Sequence, residues 1–433
     1  MQEILFSKRP SKGLFLYLVF LSFTLSSQKY YPEIVRIEFE GNTKTLDYII
    51  DREIQYQINT NLDSLKADQD RNRLENLGLF SQVEWIVIPL EDGTAILKFI
   101  IIESIQKTPP FALPTYEEDS GWSLTGFYLI NNLKGKNQSL VLGGSIGGKD
   151  TYGVQFSDPW VFGNHISMNF QIGKTLYKHR FLEKKLEVNS FNLNFGKWFG
   201  DKLKTQLGIE IEEKIFLDKS LKRSFLYYAP MLSINYDTRD VYWNPGRGVI
   251  LSQYITRNKG INPKSFILTR WDQSYSTFYS KDLLDKKTVF AFNISSKTKS
   301  GKKEELWLDY FGGQETVRGW DLPDSSLYYS KLEEFRFGHE SIQSSIEIRR
   351  EIIPKYATSL KIEFGLVLVL FIDIGFIARD FDEINYEKPI SGTGLGIRIP
   401  FPIVNVLRLD FGWGHYNNKW NAGSFHFGIG QKF

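Results

Sequence analysis

From residue 121 onward the chain alternates apolar and polar residues with period two. Ile166, Met168, Phe170 and Ile172 alternate with Ser167, Asn169 and Gln171; Leu207, Ile209 and Ile211 with Gln206, Gly208 and Glu210. Phe191, Leu193 and Phe195 alternate with Asn192 and Asn194, and Phe425, Phe427 and Ile429 with His426, Gly428 and Gly430. This is the side-chain period of a β-strand. In a soluble sandwich the apolar face packs on a second sheet; in a membrane barrel it faces lipid while the polar face lines a wet lumen. Three features favour the barrel. The segments approach the roughly ten residues that a tilted membrane strand needs. Their polar faces carry small and amide residues. Aromatic residues recur near segment ends (Tyr227, Tyr228, Trp243, Trp307, Trp320), as interface girdles require. Residues 116 to 433 hold about sixteen strand-plus-loop units, in line with the even counts of bacterial barrels.

The pattern differs upstream. Ile34-Val35-Arg36-Ile37-Glu38-Phe39 predicts a strand that Gly41-Asn42 ends. Thr45 predicts an N-cap for a helix with Leu46, Ile49, Ile50 and Ile54 on one face. A second helix is expected from Leu65 to Leu77, stopped by Gly78. A hairpin follows around Glu91-Asp92-Gly93. Residues 33–103 therefore read as one small β-α-α-β-β domain. A Pro-bearing, acidic linker is expected over 104–119 (Thr108-Pro109-Pro110, Pro114, Glu117-Glu118-Asp119), and the barrel over 120–433.

At the N-terminus, Lys8, Arg9 and Lys12 precede an apolar run from Leu14 to Leu25 and the small residues Ser26 and Ser27. That layout predicts a secretory signal peptide over 1–27. The run is short against the roughly 20 apolar residues of a membrane helix; an uncleaved anchor is the alternative.

Composition narrows the classes further. Lys and Arg number 53 against 50 Asp and Glu, a balance that gives no basis for a nucleic-acid partner. The chain has no Cys, which removes disulfides and thiolate metal sites. A mean hydropathy of -0.27 excludes a bundle of membrane helices.

Several motifs, taken in order, resemble the outer-membrane barrels that assemble or export other proteins, the BamA/TamA and two-partner-secretion superfamily. Phe39-Glu40-Gly41-Asn42 and Leu74-Glu75-Asn76-Leu77-Gly78-Leu79-Phe80, then Val83, resemble the family's POTRA module. Phe156 to Asn164 resembles an early barrel motif, and Tyr236 to Asp240 with Asn244 to Gly248 a mid-barrel hairpin. Gly312-Gly313 with Val317-Arg318-Gly319-Trp320 resembles the lumen-loop signature, and Phe371-Ile372-Asp373-Ile374-Gly375 its partner strand. The chain departs from the family in having one POTRA-like module, in Trp320 where Phe or Tyr is usual, and in Gln431, which breaks the alternation before Phe433.

The resemblance implies an outer-membrane barrel with its POTRA-like domain in the periplasm. It implies insertion of proteins into that membrane or passage across it, with no bound cofactor. Its partners would be the lipid bilayer, unfolded outer-membrane or secreted clients, and periplasmic lipoproteins. A dedicated secretion pore for one partner and a passive diffusion channel are the alternatives. The family pattern pairs Arg318 with Asp373, and Glu347, on the preceding strand, is a second candidate carboxylate. An Arg inside a barrel must be paired or wetted, and its fork grips carboxylates. Gly423, Gly428 and Gly430 near the C-terminal Phe433 read either as a weak seam that can open sideways or as plain accommodation of lumen crowding. The POTRA-like module reads either as a strand-adding edge for clients or as a rigid spacer. Enzymatic signals are poor. Gly143-Gly144-Ser145-Ile146-Gly147 matches a nucleophile elbow but lacks the helix that motif requires, and the five His show no metal-ligand spacing.

Overall fold

The computed structural model describes residues 31–433 except 108–110, 118–119, 163–164, 180–181, 218–222, 360–362 and 402–404. The expected signal peptide lies outside the described residues, as do Thr108-Pro109-Pro110, Glu118-Asp119 and the end of the Phe156–Asn164 motif. The chain divides into two compact units, Met1–Ser104 and Ile105–Phe433.

The first unit contains β1 (Glu33–Glu40), α1 (Asp47–Asp51), β2 (Thr60–Asn61), α2 (Ser64–Asn76), β3 (Phe80–Pro89) and β4 (Ala95–Glu103). Its sheet order is β2-β1-β4-β3, with β1 and β4 parallel. Ile34, Ile49, Ile50, Leu74, Phe80, Leu97 and Phe99 form the core. Asp63 caps α2 by accepting from the amides of Leu65 and Lys66. Thr45 is not the cap expected for α1. That position falls to Leu46, which makes no side-chain cap bond. Thr45 is buried instead, and its amide donates to Glu103 Oε1 at 2.7 Å. Lys44 N and Thr43 Oγ1 donate to the same carboxylate, so a residue at the end of β4 satisfies the turn that a local cap would have served. Burial pushes the Glu103 carboxyl up, but the donors from Thr45, Lys44 and Thr43 outweigh it and hold the group below its ordinary 4.5.

The second unit is one curved antiparallel sheet of seventeen strands, sixteen of them six residues or longer. Its first half contains β5 (Phe111–Glu117), β6 (Gly121–Leu133), β7 (Gln138–Gly147), β8 (Lys149–Asp158), β9 (Ile166–Lys178), β10 (Lys185–Phe199), β11 (Leu203–Phe216) and β12 (Ser224–Asp237). Then follow β13 (Arg247–Asn262), β14 (Ile267–Leu283) and β15 (Lys286–Gly301). A long excursion carries β16 (Asp309–Tyr310), α3 (Ser325–Ser330) and β17 (Phe337–Gly338). The sheet resumes with β18 (Glu340–Ala357), β19 (Glu363–Ala378), β20 (Ile390–Phe401), β21 (Asn405–Tyr416), β22 (Lys419–Trp420) and β23 (Ser424–Ile429). Among the described residues, pair registers run from β5 round to β23.

The alternation sorts side chains as a membrane barrel requires. On β19, Leu368, Leu370, Ile372 and Ile374 are exposed, while Val367, Val369, Phe371 and Asp373 are buried. Leu207, Ile209, Ile211, Phe425, Phe427 and Ile429 likewise face outward.

Three expectations change. The first barrel strand, β5, lies inside the expected linker and pairs with β6. The last strand ends at Ile429, because Gly430 adopts φ +84° and turns the chain inward. Three of the five expected girdle aromatics are interior. Tyr227 (1% exposed) and Trp307 (7%) join Phe225 and Phe266 in a buried aromatic cluster, and Trp320 (8%), itself in the lumen loop, packs with Phe311, Val317 and Ile390. An aromatic near a strand end marks an interface only when it points outward, and sequence position alone does not fix which way it points.

Candidate functional site

The excursion between β15 and β18 folds back into the barrel. Its upper part is anchored by Trp307, which stacks on Phe266 with ring centroids 4.6 Å apart and meets Phe225 edge-on at 5.2 Å. Lys299 Nζ donates to the Trp307 carbonyl and to Asp309 Oδ2, both at 2.6 Å.

Deeper, residues 312–320 form a compact turn. Thr316 Oγ1 bridges the amide and carbonyl of Gly312 at 2.8 Å each, and the Gly313 amide donates to the Trp320 carbonyl at 2.8 Å. Val317 is fully buried with Phe311, Trp320 and Ile390. Gly319 sits at φ +89°, where a side chain would be strained and would also press on the backbone of Trp413. Its amide donates to His426 Nε2 at 2.9 Å, and its carbonyl accepts from Asn421 Nδ2 at 2.6 Å. Trp320 Nε1 donates to the Ser391 carbonyl at 2.9 Å.

Arg318, with 0% exposure, is the centre of this turn. Its Nε and Nη2 grip Asp373 at 2.8 and 2.9 Å, and its backbone amide donates to the same carboxylate at 3.0 Å. Its Nη1 reaches Glu347 at 2.6 Å and Asp410 at 3.1 Å. The guanidinium lies 3.7 Å from the centroid of the Phe371 ring, adding a cation–π contact. The two carboxylates read from sequence, Asp373 and Glu347, thus meet the same Arg. This dry charge is tolerated because every face of the guanidinium has a partner.

The surrounding shell contains residues that sequence reasoning does not reach. Arg349 Nε donates to Glu347 at 2.7 Å, and Arg398 spans Glu347 (3.2 Å) and Asp410 (2.6 Å). Arg408 Nη2 reaches Glu315 at 2.5 Å. Lys432 lies 2.7 Å from Asp373 and also donates to the Thr316 carbonyl. The available signal was charge at inward positions of apolar strands, as in Ile397-Arg398-Ile399 and Leu407-Arg408-Leu409-Asp410-Phe411.

Glycines make the loop's bed. A Cβ on Gly392 would overlap the Arg318 carbonyl oxygen, and one on Gly428 would overlap the Gln314 side chain. Gly428 is therefore explained by lumen crowding, while Gly423 (φ +91°) and Gly430 serve backbone turns. Phe433 does not continue the outer face of β23. It stacks on the inward-facing Phe278 at 6.3 Å, under the Arg349 guanidinium.

Residues 132–433 match the model of the Omp85 superfamily domain, and residues 32–104 match the POTRA model described as a surface antigen variable number repeat. No curated protein matches the chain. Among solved structures, BamA from Haemophilus ducreyi lacking POTRA domains 1-3 is similar with a TM-score of 0.54 at 16% identity, covering 92% of this chain and 83% of that one. CdiB from Acinetobacter baumannii is similar with a TM-score of 0.52 at 17% identity, over 92% and 73% of the two chains. CdiB from Escherichia coli gives a TM-score of 0.51 at 11% identity, over 95% and 92%. These likenesses are likenesses of fold.

Proposed function

The chain belongs to the Omp85 superfamily, a family of outer-membrane protein insertion and secretion, and from that premise we propose that it works as a BamA/TamA-like insertase. The observation that carries this reading over a passive channel is the Arg318 turn, docked in the lumen on Asp373, Glu347 and Asp410. A passive pore gains nothing from such a plug. An insertase needs its barrel held in one state until a client arrives.

Clients would be unfolded outer-membrane proteins. Their main chain would be received first in the periplasm, at the open edge strand β3, where strand addition makes few demands on sequence. They would then reach the meeting of β5 and β23, the first and last strands of the sheet. Periplasmic lipoproteins are the proposed accessory partners. No cofactor or energy source is invoked, since burial of client strands in lipid with satisfied backbone bonds supplies the driving force. Nor is catalysis assigned: Ser145 of the G-x-S-x-G match lies within strand β7, its hydroxyl donating to the Lys149 carbonyl at 2.7 Å.

Depleting the protein in its host and quantifying the outer-membrane and secreted proteomes tests the reading. Broad loss of unrelated barrels is the expected result. Loss of one or a few secreted proteins alone would replace it with a dedicated exporter, and no change in either proteome would leave a diffusion channel.

A further inference from the structure

The outer wall of β8 to β11 carries a concave site. Pair registers place Tyr152, Lys174, Asn189 and Glu213 directly beside one another in a single row across four strands. One outward position down each strand, the neighbouring row is wholly apolar: Val154, Ile172, Phe191 and Ile211, with Leu142 beside them on β7. The next row, Phe156, Phe170, Leu193 and Ile209, is apolar too. Between the polar row and the first apolar row lies a groove of about 730 Å³.

Depth fixes what this groove meets. On β9 the outward residues run Ile166, Met168, Phe170, Ile172 and then Lys174. Eight residues of tilted strand rise roughly 20 Å, close to the roughly 25 Å height of a barrel's apolar band. The polar row therefore sits where lipid headgroups begin. Strand alternation puts it at the end of the barrel that also emits the long excursion, opposite the end at which the chain enters.

The row's chemistry selects a headgroup. Lys174 is answered by Glu187 at 2.6 Å, and Asn189 Nδ2 donates to the same Glu187 oxygen at 3.2 Å. Glu213 has only a long bond from Asn189, at 3.5 Å, among the described residues. Because Glu187 already answers Lys174, Glu213 is the charge the groove's lining presents, and a carboxylate repels a bare phosphate. A carboxylate, an amide and a phenol together offer the acceptors and donors that a set of hydroxyls can satisfy.

We propose that this groove binds an outer-leaflet glycolipid. Its sugar hydroxyls bond Glu213, Asn189 and Tyr152, and one acyl chain lies along Ile172 and Phe191.

The test uses the full chain, purified in detergent and offered three lipids with identical acyl chains: glucosyl diacylglycerol, phosphatidylethanolamine and phosphatidylglycerol. Native mass spectrometry counts the bound lipid. The glucolipid should be retained at least about fivefold over phosphatidylglycerol, which corresponds to about 1 kcal/mol. The preference should vanish in an Asn189→Leu, Glu213→Leu double variant whose heat-shifted gel mobility shows a folded barrel. Equal retention of all three, a preference for either phospholipid, or a preference that survives the substitution would each overturn the proposal. So would a photoreactive residue at Ile172 that cross-links polypeptide rather than lipid in native membranes.

Discussion

Replacing Arg318 with Met preserves side-chain length and deletes the charge. Four guanidinium bonds disappear: two to Asp373 at 2.8 and 2.9 Å, one to Glu347 at 2.6 Å and one to Asp410 at 3.1 Å. None of the three carboxylates is orphaned. Asp373 keeps Lys432 at 2.7 Å, Glu347 keeps Arg349 at 2.7 Å, and Asp410 keeps Arg398 at 2.6 Å. Breaking a buried pair costs about 3–5 kcal/mol when the survivor is stranded; here the retained cations place the loss near the lower end, about 3 kcal/mol. That shifts the ratio of docked to released loop by roughly a hundredfold. Because the chain has no Cys, Val317→Cys supplies a single reporter thiol at a fully buried position. Maleimide labelling then reads the fraction of time the turn is open. Adding Arg318→Met should accelerate labelling by roughly a hundredfold, while adding Lys432→Met should stay below about tenfold, because the Arg318 fork remains on Asp373. A rate for Arg318→Met within about threefold of the parent would refute the claim that this Arg holds the loop.

Other outcomes follow from the same geometry. Gly392→Ala should speed labelling of the same thiol, since its Cβ collides with the Arg318 carbonyl without touching any charge. Trp307→Ala empties an aromatic socket worth about 3–5 kcal/mol; trypsin should cut faster at the exposed Lys331 while labelling at position 317 holds steady, if the two anchors are independent. Glu103 has a folded pKa below its unfolded value, so its contribution is present above about pH 4.5 and is lost as pH falls through the lowered value. Hydrogen exchange at the β1 and β4 amides of the full chain should therefore show the wild type losing stability between about pH 5 and 3, and Glu103→Gln should be less stable at pH 7 and flatter across that range.

The period-two pattern made the barrel legible because each strand there has one lipid face and one lumen face, and a two-residue period survives both. Arg318 and Asp373 were legible through the family's motifs, and Glu347 because a charge at membrane depth demands an answer. Asp410, Arg398 and Arg349 obey the same rule, yet which charges meet depends on registers accumulated across β18 to β21, and no local pattern encodes them. Lys432 follows a turn at Gly430 that reverses its expected direction. The interior positions of Tyr227 and Trp307 were hidden for a related reason, since they were chosen by each other rather than by the membrane.

One carboxylate, Asp373, is held from two sides: by Arg318 of the excursion and by Lys432 of the tail that follows β23. Plug and terminal strand are therefore thermodynamically linked. Any event that displaces β23 and draws Lys432 away changes the free energy with which Asp373 holds Arg318, and release of Arg318 changes the hold on Lys432 by the same amount. Because Lys432 also bonds the Thr316 carbonyl within the turn, the tail bears on the loop backbone directly as well as through the shared charge. Displacement of the last strand would thus be felt at the docked turn through a single lysine.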